Sequence, residues 1–256
     1  MIRRLIVALM TLAALTLGSY ANAGVVTVDG VTWDTDHPLD FTAQNSIFQD
    51  DIGAVGDVVT IWGIVNQING SGGFCSGICT ELSFFASATL DAAGDTDGDG
   101  NLDTYFVNFS LTFYVDTDGA DFDFADPTSA TDGLVFLEMT GHADIEGGIT
   151  AEIFGEITGL ILAGLGDEGE GHGLLDAVGG DALAYFDTNT IADNMDPQGF
   201  ADCNFSSSFQ PSGVQGVLTG TAEMLCDTDM IPEPASLLLM GLGLLGLASL
   251  KRRPMF

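Results

Sequence analysis

Apolar and polar residues alternate with a period of two along several stretches of this chain, which has 256 residues. The clearest stretch covers residues 104–115, where the apolar residues of one parity are Tyr105, Val107, Phe109, Leu111, Phe113 and Val115. A second stretch covers residues 149–165, with Glu152, Glu156 and Thr158 on its polar side. Because successive side chains of a strand point to opposite faces of a sheet, both stretches predict long β-strands with one buried face.

Six shorter stretches have the same character and are separated by Gly, Asp and Asn, the residues that turns require. They cover residues 25–33, 58–65, 82–90, 134–140, 183–186 and 214–225. For residues 173–185, one short helix is the alternative. About eight strands without a Pro- or Ser-rich linker predict an all-β fold, a single antiparallel β-sandwich or barrel-like domain.

The first 23 residues have the pattern of a secretory signal peptide. Two arginines open the segment, residues 5–17 are uncharged and mostly apolar, and Ala21 and Ala23 form an A-x-A cleavage site. We therefore expect export by the Sec machinery and cleavage after Ala23. An uncleaved membrane anchor is the alternative interpretation.

Residues 230–256 form a second terminal segment, which has three consecutive parts. These are the motif Pro232, Glu233 and Pro234, the uncharged residues 235–250, and the basic cluster Lys251, Arg252 and Arg253. A helix over the uncharged part is about 24 Å long at about 1.5 Å per residue, slightly short of a full bilayer span. Basic residues stay on the cytoplasmic side of a membrane, so we expect the helix to stop in the inner membrane with the acidic body outside.

This order of Pro-Glu-Pro motif, Gly- and Leu-rich helix and basic cluster is similar to the PEP-CTERM sorting signal of Gram-negative bacteria over residues 231–253. The resemblance implies that an exosortase, a membrane cysteine transpeptidase-like enzyme, removes the helix near the motif. It also implies delivery to the cell surface or an exopolysaccharide matrix. It implies nothing about the body, so the chain divides into a signal peptide (1–23), an acidic β-rich extracellular domain (24–229) and a sorting signal (230–256).

Charge is distributed very unevenly along the chain, which has 5 Lys and Arg against 37 Asp and Glu. The basic residues are Arg3, Arg4, Lys251, Arg252 and Arg253, whereas residues 24–229 hold 36 of the acids. This pattern excludes nucleic-acid binding through phosphate contacts, which needs clustered cations. It also excludes catalysis by Lys or Arg in the body. With 46% hydrophobic residues, the chain is too apolar for a disordered acidic polymer.

Four cysteines in an exported chain favour disulfide bonds. Three pairings of Cys75, Cys79, Cys203 and Cys226 are possible. We favour Cys75 with Cys79, because a turn between them brings their Cα atoms within the range that a disulfide needs. The second pair, Cys203 with Cys226, then joins the last strand to the preceding loop. Redox chemistry or a metal site is the alternative, although the C-x₃-C spacing is unusual for either.

Residues 95–103 hold the clearest chemical motif of the body. Carboxylates occupy loop positions 1, 3, 5 and 9, a Gly stands at position 6, and position 7 offers a backbone carbonyl. The predicted ligands are Asp95, Asp97, Asp99, Asn101 and Asp103, with Gly100 at the turn. Oxygen ligands that alternate in this way wrap around a hard cation, so the loop predicts a calcium site.

This loop resembles the calcium loops of EF-hand, dockerin and thrombospondin type 3 proteins. It differs at position 12, where Phe106 replaces the expected acid, and it leads directly into a strand. Further ligands are available from Asp91 or from the cluster Asp116, Asp118, Asp121 and Asp123. A solvated acidic turn is the alternative.

No catalytic motif stands out in the body. His142 follows a strand, and His172 lies in a Gly- and Glu-rich segment that we interpret as an exposed loop rather than a transition-metal site. The sequence therefore favours a non-enzymatic, exported acidic protein of the cell surface or extracellular matrix, associated with exopolysaccharide or biofilm. A calcium-dependent, lectin-like carbohydrate-binding module is the first alternative, with Trp33 and Trp62 as a stacking platform unless they are buried. A secreted hydrolase with paired carboxylates is the second.

Overall fold

A computed structural model describes residues 24–37, 41–50, 53–158, 168–195, 200–212 and 217–228. The predicted signal peptide and sorting signal lie outside the described residues. The strands are β1 Val25–Val28, β2 Val31–Asp34, β3 Phe41–Asp50, β4 Val58–Ile68, β5 Glu81–Gly94, β6 Leu102–Asp116, β7 Leu134–His142, β8 Asp144–Glu146, β9 Ile149–Ala151, β10 Ile153–Ile157, β11 Gly169–Gly179, β12 Ile191–Ala192, β13 Phe200–Ala201, β14 Cys203–Pro211 and β15 Val217–Cys226. A 3₁₀ turn covers Pro127–Ala130, and a one-turn helix, α1, covers Leu183–Phe186.

The long strands form one closed antiparallel sheet with eight positions, which gives the body a barrel-like shape. Around the barrel, the strands follow chain order from β3 to β15, and β15 pairs with β3 to close it. This result confirms the all-β, barrel-like prediction. Closure leaves the long strands without free edges, which an open sheet would have to protect.

One position of the barrel is shared by two strands. β7 pairs with the second half of β6, whereas β10 pairs with Leu102–Phe106 in its first half. Both also pair with β11, so they form one interrupted strand. The hairpin of β8 and β9 is inserted between them.

Side chains from six strands fill the middle of the barrel. They include Ile47, Ile61, Phe84, Ala86, Phe109, Leu111, Phe113, Phe205, Ala222 and Met224, which leave a cavity of only about 10 Å³. Eight strands enclose an interior that side chains can just fill. A neighbouring cavity of about 30 Å³ is lined partly by Gln49, Thr104 and Phe106, which is room for a water molecule and little more.

A bulge at Asn108 divides β6 into two halves, and the parity of the residues that face the barrel interior changes between them. Asn108 has a left-handed φ of 55°, and the register with β5 shifts at this point. Before the bulge Phe106 lines the internal cavity, whereas Tyr105 belongs to a separate cluster with Phe154. The predicted single alternation over residues 104–115 is therefore wrong for its first part, although the strand itself is present.

An aromatic cluster closes one end of the barrel, which we call the capped end. Trp33 of β2 contacts the rings of Phe41, Phe136, Tyr185 and Phe186 at centroid distances of 5.5–6.1 Å. The indole is 2% exposed, and its Nε1 donates to Thr228 Oγ1 at 3.3 Å. The N-terminal hairpin and α1 therefore cover the end at which β3 begins and β15 ends.

Several predicted elements differ from the structure. Residues 25–33 form two strands, because Asp29 and Gly30 both adopt positive φ and turn the chain. Residues 183–186 form α1 instead of a strand, and the helix considered for residues 173–185 is wrong in its first half, which belongs to β11. The stretch 149–165 breaks into β9 and β10, and its last residues lie outside the described part of the chain.

Both predicted disulfides are present and lie towards the capped end. Cys75 and Cys79 flank a turn in which Gly77 has a φ of 69°, and their Cα atoms are 5.2 Å apart. Cys203 and Cys226 face each other across β14 and β15, with 4.2 Å between their Cα atoms. Cys203 therefore starts a strand, and does not lie in a loop as predicted.

Candidate functional site

The Asp95 loop, residues 95–103, connects β5 to β6 at the end of the barrel opposite the cap. Its carboxylates accept hydrogen bonds from the loop backbone: Gly98 N donates to Asp95 Oδ1 at 2.8 Å, and Asp99 N donates to Asp97 Oδ1 at 3.0 Å. Gly98 and Gly100 adopt φ values of 84° and 97°, which residues with a Cβ rarely reach. The loop backbone therefore folds tightly around its own acidic side chains.

Three of the five predicted ligands come together in this loop. Asp95, Asp97 and Asp103 each place a carboxylate oxygen within 4.8 Å of the other two. The hydroxyl and backbone N–H of Thr96 donate to Asp103 Oδ2 at 2.6 and 2.7 Å, and these bonds lower the pKa of Asp103. Carboxylate oxygens in an exposed or half-exposed loop fit the ligand preference of calcium.

The other two predicted ligands are engaged with each other. Asn101 donates from its backbone N to Asp99 Oδ1 at 2.8 Å and from Nδ2 to Asp99 Oδ2 at 2.7 Å. Its Nδ2 also donates to Glu156 Oε1 of β10 at 2.6 Å. The structure thus places Asp99 outside the set of three converging carboxylates. It also brings Glu156, which the sequence pattern did not indicate as a ligand, next to the loop.

The acidic cluster around Asp116 is too far from the Asp95 loop to share its ion. Asp103 and Asp116 lie near opposite ends of β6, and extended chain at about 3.3 Å per residue separates them by about 40 Å. The suggestion that this cluster completes the Asp95 loop is therefore wrong.

A second acidic group lies near the capped end, and we call Glu81, Asp116 and Asp121 the Glu81 cluster. Their carboxylate oxygens also lie within 4.8 Å of one another. Burial raises the pKa of Glu81 to about 6; the N–H of Phe122 opposes this shift, and the charges of Asp116, Asp121 and Asp132 add to it. The sequence pattern did not single out Glu81, because strand pairing brings it to Asp116 from 35 residues away.

The histidines pair with carboxylates. His142 lies between Asp176 and Asp193, with nitrogen–oxygen distances of 2.9 Å to each. His172 contacts Glu146 at 2.8 Å and stacks on Phe154. It belongs to strand β11, so its assignment to a loop is wrong.

Neither tryptophan offers an exposed stacking surface. Trp33 lies in the cap, and Trp62 is 3% exposed. The Trp62 indole donates to the carbonyl of Phe124 at 3.1 Å, and the Phe124 ring lies 4.4 Å from that of Phe48. Trp33 and Trp62 are therefore buried structural residues, which is the alternative that the sequence analysis left open.

A polar groove of about 620 Å³ runs across the outside of the barrel. Its lining includes Gln44, Asn66, Gln67, Glu170, Ser206, Ser208, Thr221 and Glu223, and we call this surface the polar face. Amide, hydroxyl and carboxylate groups from five strands line it. Such groups can hydrogen-bond a hydroxyl-rich ligand.

Comparison with known proteins identifies the tail of the chain. The family model of the PEP-CTERM protein-sorting motif matches residues 231–253. Searches of the curated proteins and of the solved structures find no match. The chain therefore carries the sorting motif of an exported protein that an exosortase processes through a membrane-anchored intermediate, and its body is assigned to no family. Within the described residues, no helix is long and apolar enough to cross a membrane.

Proposed function

We propose that this protein is a non-enzymatic component of the cell surface or extracellular matrix, where it associates with exopolysaccharide. The sorting motif at residues 231–253 carries the proposal, because it marks the chain for export and processing by an exosortase. The two disulfides of the body support it, because disulfides form and persist in an oxidising space outside the cytoplasm.

Calcium links the acidic body to an acidic polysaccharide in this proposal. The carboxylates of Asp95, Asp97 and Asp103 lie in an exposed or half-exposed loop, so an ion bound there keeps coordination positions for a second molecule. An acidic protein and an anionic glycan repel each other without such an ion. Association is therefore expected to depend on divalent cations.

A calcium-dependent carbohydrate-binding module is the second candidate, and the polar face favours it. The groove offers amides and hydroxyls from five neighbouring strands, although the buried tryptophans supply no aromatic platform. A neutral glycan that binds this face would distinguish the module from a protein that only bridges anionic chains through calcium.

Processing provides the first test. In wild-type cells, we expect the surface form to lack residues 1–23 and the segment beyond the Pro-Glu-Pro motif, as measured by intact mass. This form would contain no Lys or Arg, because all five lie in the two removed segments. In an exosortase-deficient strain, the chain should stay in the membrane fraction with Lys251–Arg253 attached.

The association itself is tested by sedimentation of the surface form with purified exopolysaccharide in calcium, in magnesium and with a chelator. Co-sedimentation that calcium supports and the chelator abolishes is the expected result. Equal co-sedimentation in all three solutions would contradict calcium bridging. Recovery of Lys251–Arg253 on surface-displayed material would contradict the processing step.

A further inference from the structure

The Glu81 cluster is built from two adjacent strands and the loop that follows them. Glu81 opens β5 and Asp116 ends β6, and the two residues are direct partners across the sheet. They are only 7% and 5% exposed. Asp121, from the loop after β6, completes the group within 4.8 Å. Two neighbouring carboxyl groups are thus buried side by side at this point of the barrel.

Hydrogen bonds satisfy only part of this group. Glu81 Oε1 accepts from Phe122 N at 3.0 Å, and Asp116 Oδ1 accepts from Asp118 N at 3.0 Å. Asp116 Oδ2, in contrast, is buried and has no hydrogen-bond partner within the described part of the chain. A buried charged oxygen without a partner is costly. The carboxylate of Asp116 lies beside the carboxylates of Glu81 and Asp121. Because carboxylate oxygens donate electron pairs, this arrangement points to a bound cation.

The cation has to come from solution. Residues 24–229 contain no Lys or Arg, and the charged side chains that act on Glu81 are all acidic: Asp116, Asp121 and Asp132. We propose that Glu81, Asp116 and Asp121 form a second divalent-cation site, independent of the Asp95 loop. Its donors are all carboxylate oxygens, which favours a hard ion such as calcium over a transition metal.

Burial argues against a catalytic pair at the same place. A hydrolase needs its two carboxyl groups to reach the substrate, whereas Glu81 and Asp116 are more than nine-tenths buried. The loop of residues 117–133 covers them: Phe122 contacts Glu81, and Ser83 on the same strand donates to the carbonyl of Ala130 at 3.1 Å. The bound ion therefore holds this loop against the barrel.

The same loop contacts Trp62 further along. Phe124 of the loop accepts a hydrogen bond from the indole and packs on Phe48. An ion at the Glu81 cluster fixes the loop at Asp121, only three residues before Phe124. Ion binding is thus expected to change the emission of Trp62, which gives the site an optical readout.

Calcium stoichiometry in the full chain, purified in detergent, tests the proposal. Asp97→Asn removes the Asp95 loop site, so one bound calcium should remain in that variant. Adding Asp116→Asn should abolish it or weaken it at least ten-fold, and should also abolish the calcium-dependent change in tryptophan emission. The amide keeps the shape of the side chain and the bond from Asp118 N.

Asp123→Asn is the matched control, because Asp123 lies in the same loop and accepts from Ala125 N at 2.9 Å through Oδ1, which the amide retains. Added to the Asp97→Asn variant, Asp123→Asn should leave the remaining calcium binding unchanged. If the Asp116→Asn and Asp123→Asn proteins bind equally, the Glu81 cluster is a protonated carboxyl pair and the proposal is wrong. If Asp116→Asn shows no cooperative unfolding, Glu81→Gln replaces it as the deciding variant, with the same two outcomes.

Discussion

His142 has a larger electrostatic role than most histidines, because residues 24–229 contain no Lys or Arg to pair with carboxylates. A ring that donates from both nitrogens carries a proton on each and is positively charged. Burial lowers the pKa of His142, but the hydrogen bonds and charges of Asp193 and Asp176 outweigh burial and raise the pKa above its ordinary value of 6.5. When it is protonated, the His142 ring forms ion pairs with Asp176 of β11 and with Asp193, which follows β12.

Replacing His142 should therefore destabilise the protein in a pH-dependent way. Because the folded-state pKa is raised, the stabilisation is complete below about pH 6.5 and is lost as the pH rises through the folded pKa. His142→Gln should lower the free energy of unfolding by about 1 kcal/mol at low pH, after allowance for solvent screening. Urea unfolding of both proteins between about pH 5.5 and 9 measures this difference.

The more exposed His172 is the control for this comparison. It pairs with Glu146, and both side chains are more than half exposed, so His172→Gln should cost less than about 0.5 kcal/mol. A His142→Gln effect that stays constant across the pH range would show that the ring acts only by packing.

Among the elements, α1 and the N-terminal hairpin decide how the barrel ends. Phe186 of α1 is fully buried and contacts the rings of Trp33, Phe41 and Phe136. A one-turn helix has almost no stability of its own. It is therefore held in place by this aromatic packing rather than by its backbone hydrogen bonds.

Truncating Phe186 should open the cap. Phe186→Ala is expected to lower the free energy of unfolding by about 3–5 kcal/mol, because a large buried side chain leaves a cavity, and to shift Trp33 emission to longer wavelength. Thermal and urea unfolding measure the loss. Val178→Ala on β11, where the side chain is 53% exposed, should cost about 0.5 kcal/mol or less. Similar losses in both variants would contradict a cap held by Phe186.

The strands that were predictable are those with large apolar residues facing the barrel interior, such as β5 and β6. β3 and β14 were missed because their inward positions include Asn45, Gln49 and Ser207, so their sequences resemble polar loops. β11 was missed because of its glycines. At Gly169 the ring of Phe209 occupies the space that a Cβ needs, at 2.7 Å, and this packing is invisible in the sequence of one strand.

The candidate sites show the same division between local and long-range information. The Asp95 loop was predictable because all its carboxylates lie within nine consecutive residues. Which of them converge was not predictable, since the contact between Asn101 and Glu156 depends on the pairing of β6 with β10. The Glu81 cluster depends entirely on pairing between residues distant in the chain.

For the whole molecule, the strongest electrostatic effect is the repulsion among 36 acidic residues within residues 24–229. Repulsion of this kind destabilises a compact state, and an ion that binds only the folded form opposes it. Calcium at 100 times its dissociation constant adds about 2.7 kcal/mol per site. Sodium at the same ionic strength only screens the charges.

Calcium should therefore raise the midpoint of thermal unfolding more than sodium does. How much each carboxylate of the Asp95 loop contributes to this increase depends on its position in the loop. Asp97→Asn should remove the part that belongs to the Asp95 loop, because Asp97 faces Asp95 and Asp103. Asp99→Asn should keep most of it, because Asp99 is engaged with Asn101. Calorimetry with and without calcium makes the comparison. If calcium raises the unfolding midpoint of wild type and of Asp97→Asn equally, the Asp95 loop is an acidic turn and not a calcium site.

The chain directly after β15 is bonded to the cap, and this limits how far the body can move from its membrane anchor during export. Thr228 is bonded to Trp33 in the cap, and two residues separate it from position 231, where the sorting motif begins. From Thr228 to Ala235, where the uncharged segment begins, seven residue steps reach at most about 25 Å. While the tail anchors the intermediate, we expect this tether to keep the capped end within about 25 Å of the membrane. The barrel also needs β15 for closure, so folding can finish only after the last strand before the tail has crossed.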